Sequence, residues 1–208
     1  MATRFYLPST GASDVAPAYG TAWELTTGAS RRKGVTTKIS SAMGDVAVAE
    51  TSGNGDYDVL CRQYVSAPIS GSGTMSGTFS GLVRVLQSVA AADMAAQIVA
   101  RVVSNDGQTV RGTLYAGDAG GLGNEFPLTT AVSKWFPKDA WVGNPIAISS
   151  VAYQDGDRVV LEIGYRAHNW SATSYTGTLR FGDASGSDIT DEDQTTDYNP
   201  WVEFSYTV

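Results

Sequence analysis

Alternating apolar and polar side chains mark the clearest element of the chain at residues 157–166. Val159, Leu161 and Ile163 point one way there, while Arg158 and Glu162 point the other way. Strict alternation of this kind is typical of a β-strand with one face in a core and the other in water. The pattern therefore predicts a strand that carries Glu162 on its wet face.

Further segments repeat this pattern. Residues 57–65 alternate, with Tyr57, Val59, Cys61 and Val65 on one predicted face. A hairpin is predicted at 98–115, because an Asp-Gly pair separates two apolar runs there. The other candidate strands are 21–27, 35–41, 79–86, 146–153, 173–181 and 201–208. About ten strands at spacings of roughly 8 to 20 residues predict an all-β fold, an antiparallel β-sandwich of jelly-roll type.

Three segments depart from the alternation. Residues 89–97 are rich in alanine and favour a helical turn or a bulged crossover. Residues 116–144 favour a long loop, and loops of this length in compact domains are usually functional. Residues 1–20 show no periodicity and favour an extended N-terminal arm. The remaining residues, 21–208, are expected to form a single β-sandwich domain.

Charge and targeting signals narrow the choice of partners. The 208 residues carry a net charge of −7, and residues 177–208 contain seven acidic residues and one basic residue. Without a basic excess, we expect binding neither to nucleic acid nor to a membrane. No apolar run reaches the length of a signal peptide or a membrane span, which favours synthesis in a cytoplasm without a signal peptide. Cys61 is the only cysteine, so no disulfide forms within the chain.

Few residues support catalytic chemistry. His168 is the only histidine and no Gly-x-Ser-x-Gly motif is present, so neither a serine-hydrolase triad nor a zinc site is favoured. Glu162 and Glu203 lie on the polar faces of predicted strands and leave a pair of carboxylates for glycoside hydrolysis open. The alternative is that both are solvated and pair with Arg158 or Arg180. We expect no catalytic residues and no cofactor.

Acidic residues are dense at 183–197, among glycines, serines and threonines. Oxygen ligands at this density are the kind that calcium prefers, and Asp188, Asp191 and Asp193 are candidates for a calcium site. Their spacing does not match an EF-hand loop. We favour a solvated acidic segment.

Aromatic side chains outside the predicted strands are candidates for a binding surface. Such rings can anchor a protein interface, stack on a sugar or cap the open end of a sandwich. Anchoring of an interface and stacking on a sugar are possible roles for residues of the predicted arm as well as for those of the predicted loops. The candidate interface or glycan-stacking residues are the aromatic Phe5, Tyr6, Trp135, Phe136, Trp141 and Trp170, together with the aliphatic Leu7 of the predicted arm.

Three stretches of the chain resemble a known group of proteins. They are 102–114 (VVSNDGQTVRGTL), 155–167 (DGDRVVLEIGYRA) and 199–205 (NPWVEFS). From residue 77 to the end, the chain is similar to small β-rich, jelly-roll-like structural proteins of tailed bacteriophages, of the decoration or virion-associated type. The matching stretches cover under half of the chain and are strands and turns. The resemblance implies a virion protein without assigning a site.

Together, these expectations favour a virion structural protein that is not an enzyme, such as a capsid decoration or cement protein of a tailed phage. Its expected partners are other virion proteins, such as the major capsid protein, and further copies of itself. Its expected location is the virion, after synthesis in the host cytoplasm. The alternative is a carbohydrate-binding or host-receptor-binding module on the head, tail or fibres, and a glycoside-active enzyme ranks third.

Overall fold

A computed structural model describes residues 2–50, 55–118, 125–128, 132–136, 145–182, 188 and 199–206, and more than half of these residues lie in two β-sheets. The described residues contain twelve strands, one short 3-10 turn (Ala90–Ala92) and no α-helix. The strands are β1 (Thr3–Tyr6), β2 (Ser30–Lys33), β3 (Gly44–Ala49), β4 (Gly55–Val65), β5 (Gly73–Gln87), β6 (Met94–Val103), β7 (Val110–Asp118), β8 (Val132–Phe136), β9 (Ile146–Tyr153), β10 (Arg158–Asn169), β11 (Thr176–Phe181) and β12 (Trp201–Phe204).

Neighbouring strands within each sheet are mostly distant in sequence. The first sheet, sheet A, follows the order β1-β12-β5-β11-β3, and β8 and β9 also pair with β5. Sheet B follows the order β2-β4-β10-β6-β7. All strand pairs are antiparallel except β2 with β4, which is parallel. The all-β class predicted from the alternation is confirmed, with twelve described strands in place of about ten.

The two sheets share one apolar core. In β10, Val159, Leu161, Ile163 and Tyr165 are all buried, as the alternation predicts. They belong to the same cluster as side chains from sheet A, among them Phe79, Val83, Leu179, Phe181, Val202 and Phe204. Alternate residues therefore point into the space between the sheets, and the intervening residues form two outer faces.

A β-bulge changes which side chains of β4 are inside. Ile163 pairs with Arg62 but Gly164 pairs with Leu60, so the register skips one residue of β4. As a result Tyr64 joins the shared core, whereas Val65 packs on the outer face. The prediction that Val65 shares a face with Val59 is wrong, because a bulge reverses the alternation beyond it.

The predicted Asp-Gly hairpin is confirmed as β6 and β7, which pair antiparallel. Gly107 has a φ of 75°, a left-handed conformation that glycine adopts at low cost. Of the segment 89–97, predicted as a helical turn or a bulged crossover, Ala90–Ala92 forms a short 3-10 turn, whereas residues 94–97 belong to strand β6, so the prediction is wrong for them.

Several local predictions are wrong. Residues 21–27 and 35–41 contain no strand, and the segment 116–144 includes the end of β7 and the whole of β8. The strands β2 and β3 were not predicted, since the sequence of β2 is Ser-Arg-Arg-Lys and shows no apolar alternation. Such edge strands are stabilised by backbone pairing with a neighbour, which leaves little signal in the side chains.

The N-terminal arm is corrected as well. Residues 3–6 pair with β12 as strand β1, and the amide of Leu7 donates to the carbonyl of Pro200. Phe5 and Leu7 are only 2% and 1% exposed and belong to the shared core. They are therefore not available to a neighbouring subunit. Among the described residues no helix is long and apolar enough to span a membrane.

Candidate functional site

Glu162 is the most enclosed carboxylate on the outer face of sheet B. Its oxygens accept hydrogen bonds from the backbone amide of Gly20 (3.0 Å), the indole of Trp23 (2.7 Å), the side chain of Gln63 (2.8 Å) and the guanidinium of Arg101 (2.5 Å). Its side chain is fully buried. The prediction of a wet face is wrong at this position, because residues 18–25 lie across the sheet and exclude water.

Glu203 lies on the outer face of the other sheet. Its carboxylate contacts the guanidinium of Arg4 at 3.0 Å, and a second nitrogen of Arg4 contacts Asp188 at 2.7 Å. Glu162 and Glu203 therefore lie on opposite outer faces of the two-sheet arrangement. They do not flank a common cleft, as a glycosidase pair must.

The Asp188 carboxylate forms ion pairs with two basic side chains of this chain. Its two carboxylate oxygens contact Arg4 and Lys38, each at 2.7 Å. A carboxylate neutralised in this way does not fit the prediction that Asp188 binds calcium. Asp191 and Asp193 lie outside the described residues. Elsewhere in the described part of the chain, no group of three or more potential metal ligands occurs.

The tryptophans differ sharply in exposure. Trp23 and Trp201 are 7% and 5% exposed, whereas Trp170 is 77% exposed in the turn between β10 and β11. Trp135 and Phe136 belong to strand β8, whose backbone pairs with β5. Trp141 lies outside the described residues. Tyr6 is partly buried and packs with Leu82 and Trp201.

Polar side chains lie directly before Trp170, on the outer face of sheet B. His168 pairs in register with Asp56, and its Nδ1 lies 2.8 Å from an oxygen of that carboxylate. Arg166 donates two hydrogen bonds, of 2.8 and 2.7 Å, to the carboxylate of Asp58. We call Asp56, Arg166, His168 and Trp170 the Trp170 surface. It combines an exposed aromatic ring with a carboxylate, an imidazole and a guanidinium.

Glu50 holds the turn that carries Trp170. The side-chain amide of Asn169 donates to Glu50 Oε1 (2.5 Å) and to the carbonyl of Thr173 (2.6 Å), and the amide of Tyr175 also donates to Oε1 (3.2 Å). Burial raises the pKa of the Glu50 carboxyl, and hydrogen bonds from Asn169 and Tyr175 offset part of that rise. Asn169 is fully buried, so its position in an Asn-Trp-Ser triplet does not make it a glycosylation site. Sequence reasoning did not find Glu50, because nothing in its neighbours indicates burial.

A separate groove of about 510 Å³ lies between β1, the segment after β2 and the start of β10. Its apolar lining includes Phe5, Ile39 and Ile69. Arg158, at its edge, is satisfied by the carboxylate of Asp14 at 3.0 Å. The Arg158 guanidinium therefore does not present an unpaired charge to a ligand in the groove.

The described strands define an all-β protein with two sheets, one of which contains a parallel pair. No family model matches the chain, and no curated protein matches it. A solved CocE/NonD family hydrolase from Staphylococcus aureus is similar in structure, with a TM-score of 0.50 and 8% identity, over 98% of this chain and 36% of the hydrolase chain.

Two further solved structures are less similar. A second structure of a CocE/NonD family hydrolase from Staphylococcus aureus has a TM-score of 0.45 and 9% identity, again over 98% of this chain and 36% of the hydrolase. The VP2 subviral particle of infectious bursal disease virus has a TM-score of 0.19 and 16% identity, over 95% of this chain and 48% of that chain.

The likeness to the hydrolase corrects one expectation from the sequence. A similar arrangement of strands forms part of a hydrolase chain, which contradicts the expectation that this protein is not an enzyme. At 8% identity the likeness shows the fold alone. The chain spans about a third of the length of that hydrolase, since its match covers 36%.

Proposed function

We propose that this chain is a binding module that recognises carbohydrate through the Trp170 surface. The observation that supports it is the 77% exposure of the Trp170 side chain on a turn that is fixed by buried hydrogen bonds. Tryptophan is large and amphipathic and is enriched at contact sites, and the fixed turn presents this ring to solvent in one place.

The side chains beside Trp170 suit a sugar. The C–H face of a pyranose ring is apolar and packs on an indole, while its hydroxyl groups need hydrogen-bond partners. Asp56 has a half-exposed carboxylate, and Arg166 and His168 are partly exposed. Hydrogen bonds to charged groups are stronger than those between neutral groups, so this set adds orientation to the stacking contact.

The finer fold description belongs to the same proposal. The interleaved order of sequence-distant strands in both sheets supports a β-sandwich of jelly-roll type, an architecture common in lectin and capsid domains. The virion role expected from the resemblance to phage proteins stays a prediction. A carbohydrate-binding module of this type is compatible with a place on a phage head, tail or fibre.

The test is binding of the purified protein to a microarray of bacterial and animal glycans, followed by fluorescence titration with a glycan that binds. We expect Trp170→Ala to abolish binding without lowering the melting temperature, since the side chain is mostly in water. Leu128→Ala is the matched control, because Leu128 is an exposed apolar side chain (49%) on a different segment.

Two outcomes contradict the proposal. One is that the wild-type protein binds no glycan on the array. The other is that Trp170→Ala binds the selected glycan as tightly as the wild type, which would place the site elsewhere on the protein.

A further inference from the structure

The turn at residues 169–175 is shaped by side chains as well as by its backbone. Asn169 accepts a hydrogen bond from the amide of Ser171 (2.8 Å), and the Ser171 hydroxyl accepts one from the amide of Thr173 (3.2 Å). Hydrogen bonds of this kind, from Asn and Ser side chains to nearby backbone, fix turn geometry. Among the aromatic residues whose side-chain burial is described, Trp170 has the most exposed ring, and this ring is attached to a turn with several internal hydrogen bonds.

Glu50 connects this turn to sheet A. It follows β3, and its backbone amide donates to the carbonyl of Tyr175 at 3.0 Å. Its Oε1 accepts from Asn169 and Tyr175, which flank Trp170 on either side of the turn. Removal of this acceptor would leave the buried amide of Asn169 with one partner fewer and loosen both ends of the turn.

The environment of Glu50 is unusual for a carboxylate. The residue is fully buried, its Oε2 has no hydrogen-bond partner among the described residues, and the described groups that bond its Oε1 are amides. Among the described residues, the phenol of Tyr165 on β10 interacts electrostatically with Glu50, and also with Tyr57 and Cys61 of β4. Tyr175 contacts Glu50 through its backbone amide. Phenols and thiols stay neutral over the pH range in which carboxyls titrate.

We propose that Glu50 is a positioning residue of the Trp170 surface, which holds the turn in the shape that binds sugar. The inference rests on the proposed function for its ligand, but the effect of Glu50 on the turn is measurable without any ligand. Since Glu50 lies behind the turn, it acts through Asn169 and Tyr175 and does not touch the sugar.

The direction of the pH effect follows from the raised pKa of Glu50. A carboxyl whose pKa is higher in the ordered turn than in water favours the ordered turn when it is protonated. Order is therefore complete at pH values below the ordinary carboxyl pKa. It decreases as the pH rises through the interval between the ordinary value of 4.5 and the raised one.

Two variants separate the hydrogen bond from the charge. Glu50→Gln keeps a carbonyl oxygen for Asn169 and Tyr175 and removes the titration, whereas Glu50→Ala removes the acceptor. Glu203→Ala is the control, since the Glu203 carboxylate lies on the outer face of sheet A, away from the Trp170 surface on sheet B, and pairs with Arg4. Protection of Cys61 from thiol reagents reports whether each variant is folded, because this thiol is fully buried.

The first measurement is amide hydrogen exchange of Ser171 and Tyr175 by NMR, without ligand. We expect Glu50→Ala to accelerate exchange at both amides about tenfold, which corresponds to about 1.4 kcal/mol. Glu50→Gln and Glu203→Ala are expected to leave it within about twofold of the wild type, well under that tenfold step. The wild-type rates should rise with pH more steeply than those of Glu50→Gln, once base catalysis of exchange is subtracted.

The second measurement is the affinity of the same variants for a glycan selected on the array. A tenfold weaker affinity for Glu50→Ala, with rescue by Glu50→Gln, supports the role of Glu50. Equal exchange and equal affinity in wild type and a folded Glu50→Ala protein would overturn it. If the wild type binds no glycan, the proposed function fails, while the exchange data still decide the positioning role.

Discussion

Replacement of Glu162 by glutamine tests the most enclosed polar cluster of the protein. The carboxylate accepts hydrogen bonds from four groups and pairs with Arg101 at 2.5 Å. Glutamine has nearly the same shape but only one acceptor oxygen and no charge. The indole of Trp23 would then face an amide nitrogen, and Arg101 would remain buried without a counter-charge.

The expected magnitude follows from burial. The side chains of Glu162 and Arg101 are 0% and 7% exposed, so water cannot replace the lost partner. Removal of one member of a buried ion pair costs about 3–5 kcal/mol, and the retained amide oxygen places Glu162→Gln near 3 kcal/mol. For a domain of this size, that loss lowers the melting temperature by roughly 6–12 °C.

Chemical and thermal denaturation measure this loss directly. A double-mutant cycle with Arg101→Met should give a coupling energy of about 1–3 kcal/mol, since the double variant leaves no isolated buried charge. Glu203→Gln is the matched control. Its carboxylate is 32% exposed and pairs with Arg4 at the surface, which is expected to contribute at most about 1 kcal/mol.

The reasoning fails if Glu162→Gln costs no more than Glu203→Gln. That result would mean that residues 18–25 do not seal the outer face of sheet B in solution. An unchanged stability together with a zero coupling energy would lead to the same conclusion.

Three further predictions concern the core. Burial raises the pKa of the Cys61 thiol to about 12. A thiol reagent at pH 8 should therefore label Cys61 only as fast as the protein unfolds, and rapid labelling of the native protein would contradict its burial. Phe5→Ala should lower the free energy of unfolding, measured by denaturant titration, by about 3–5 kcal/mol, whereas Met43→Ala, at an exposed position, should lower it little. Equal losses would mean that Phe5 is not buried and that residues 1–20 form the extended arm predicted from the sequence. Gly164→Ala should lower the free energy of unfolding by about 3 kcal/mol or more, because the added Cβ would lie 1.9 Å from the carbonyl oxygen of Val59. A variant with the melting temperature of the wild type would show that the two strands do not approach so closely at the bulge.

Much of the strand content could be predicted because it depends on local alternation. The strands β4, β5 and β10 and the β6–β7 hairpin were all located from their side-chain patterns. A strand with one face in a core must alternate, and an Asp-Gly turn restricts the backbone between two strands. The sequence also indicates Trp170 as a candidate contact residue, because it lies outside the predicted strands, but capping of the sandwich was an equal alternative and the structure shows that the ring is exposed.

The tertiary structure decided which polar groups are buried and what they contact. Glu162 alternates like a solvated residue, and only the segment at 18–25, more than 130 residues away, removes it from water. Glu50 meets Asn169 across 119 positions of sequence, so no local pattern indicates that it supports the Trp170 turn. Alternation records which face a side chain lies on, whereas burial of that face depends on segments that reach it through the fold.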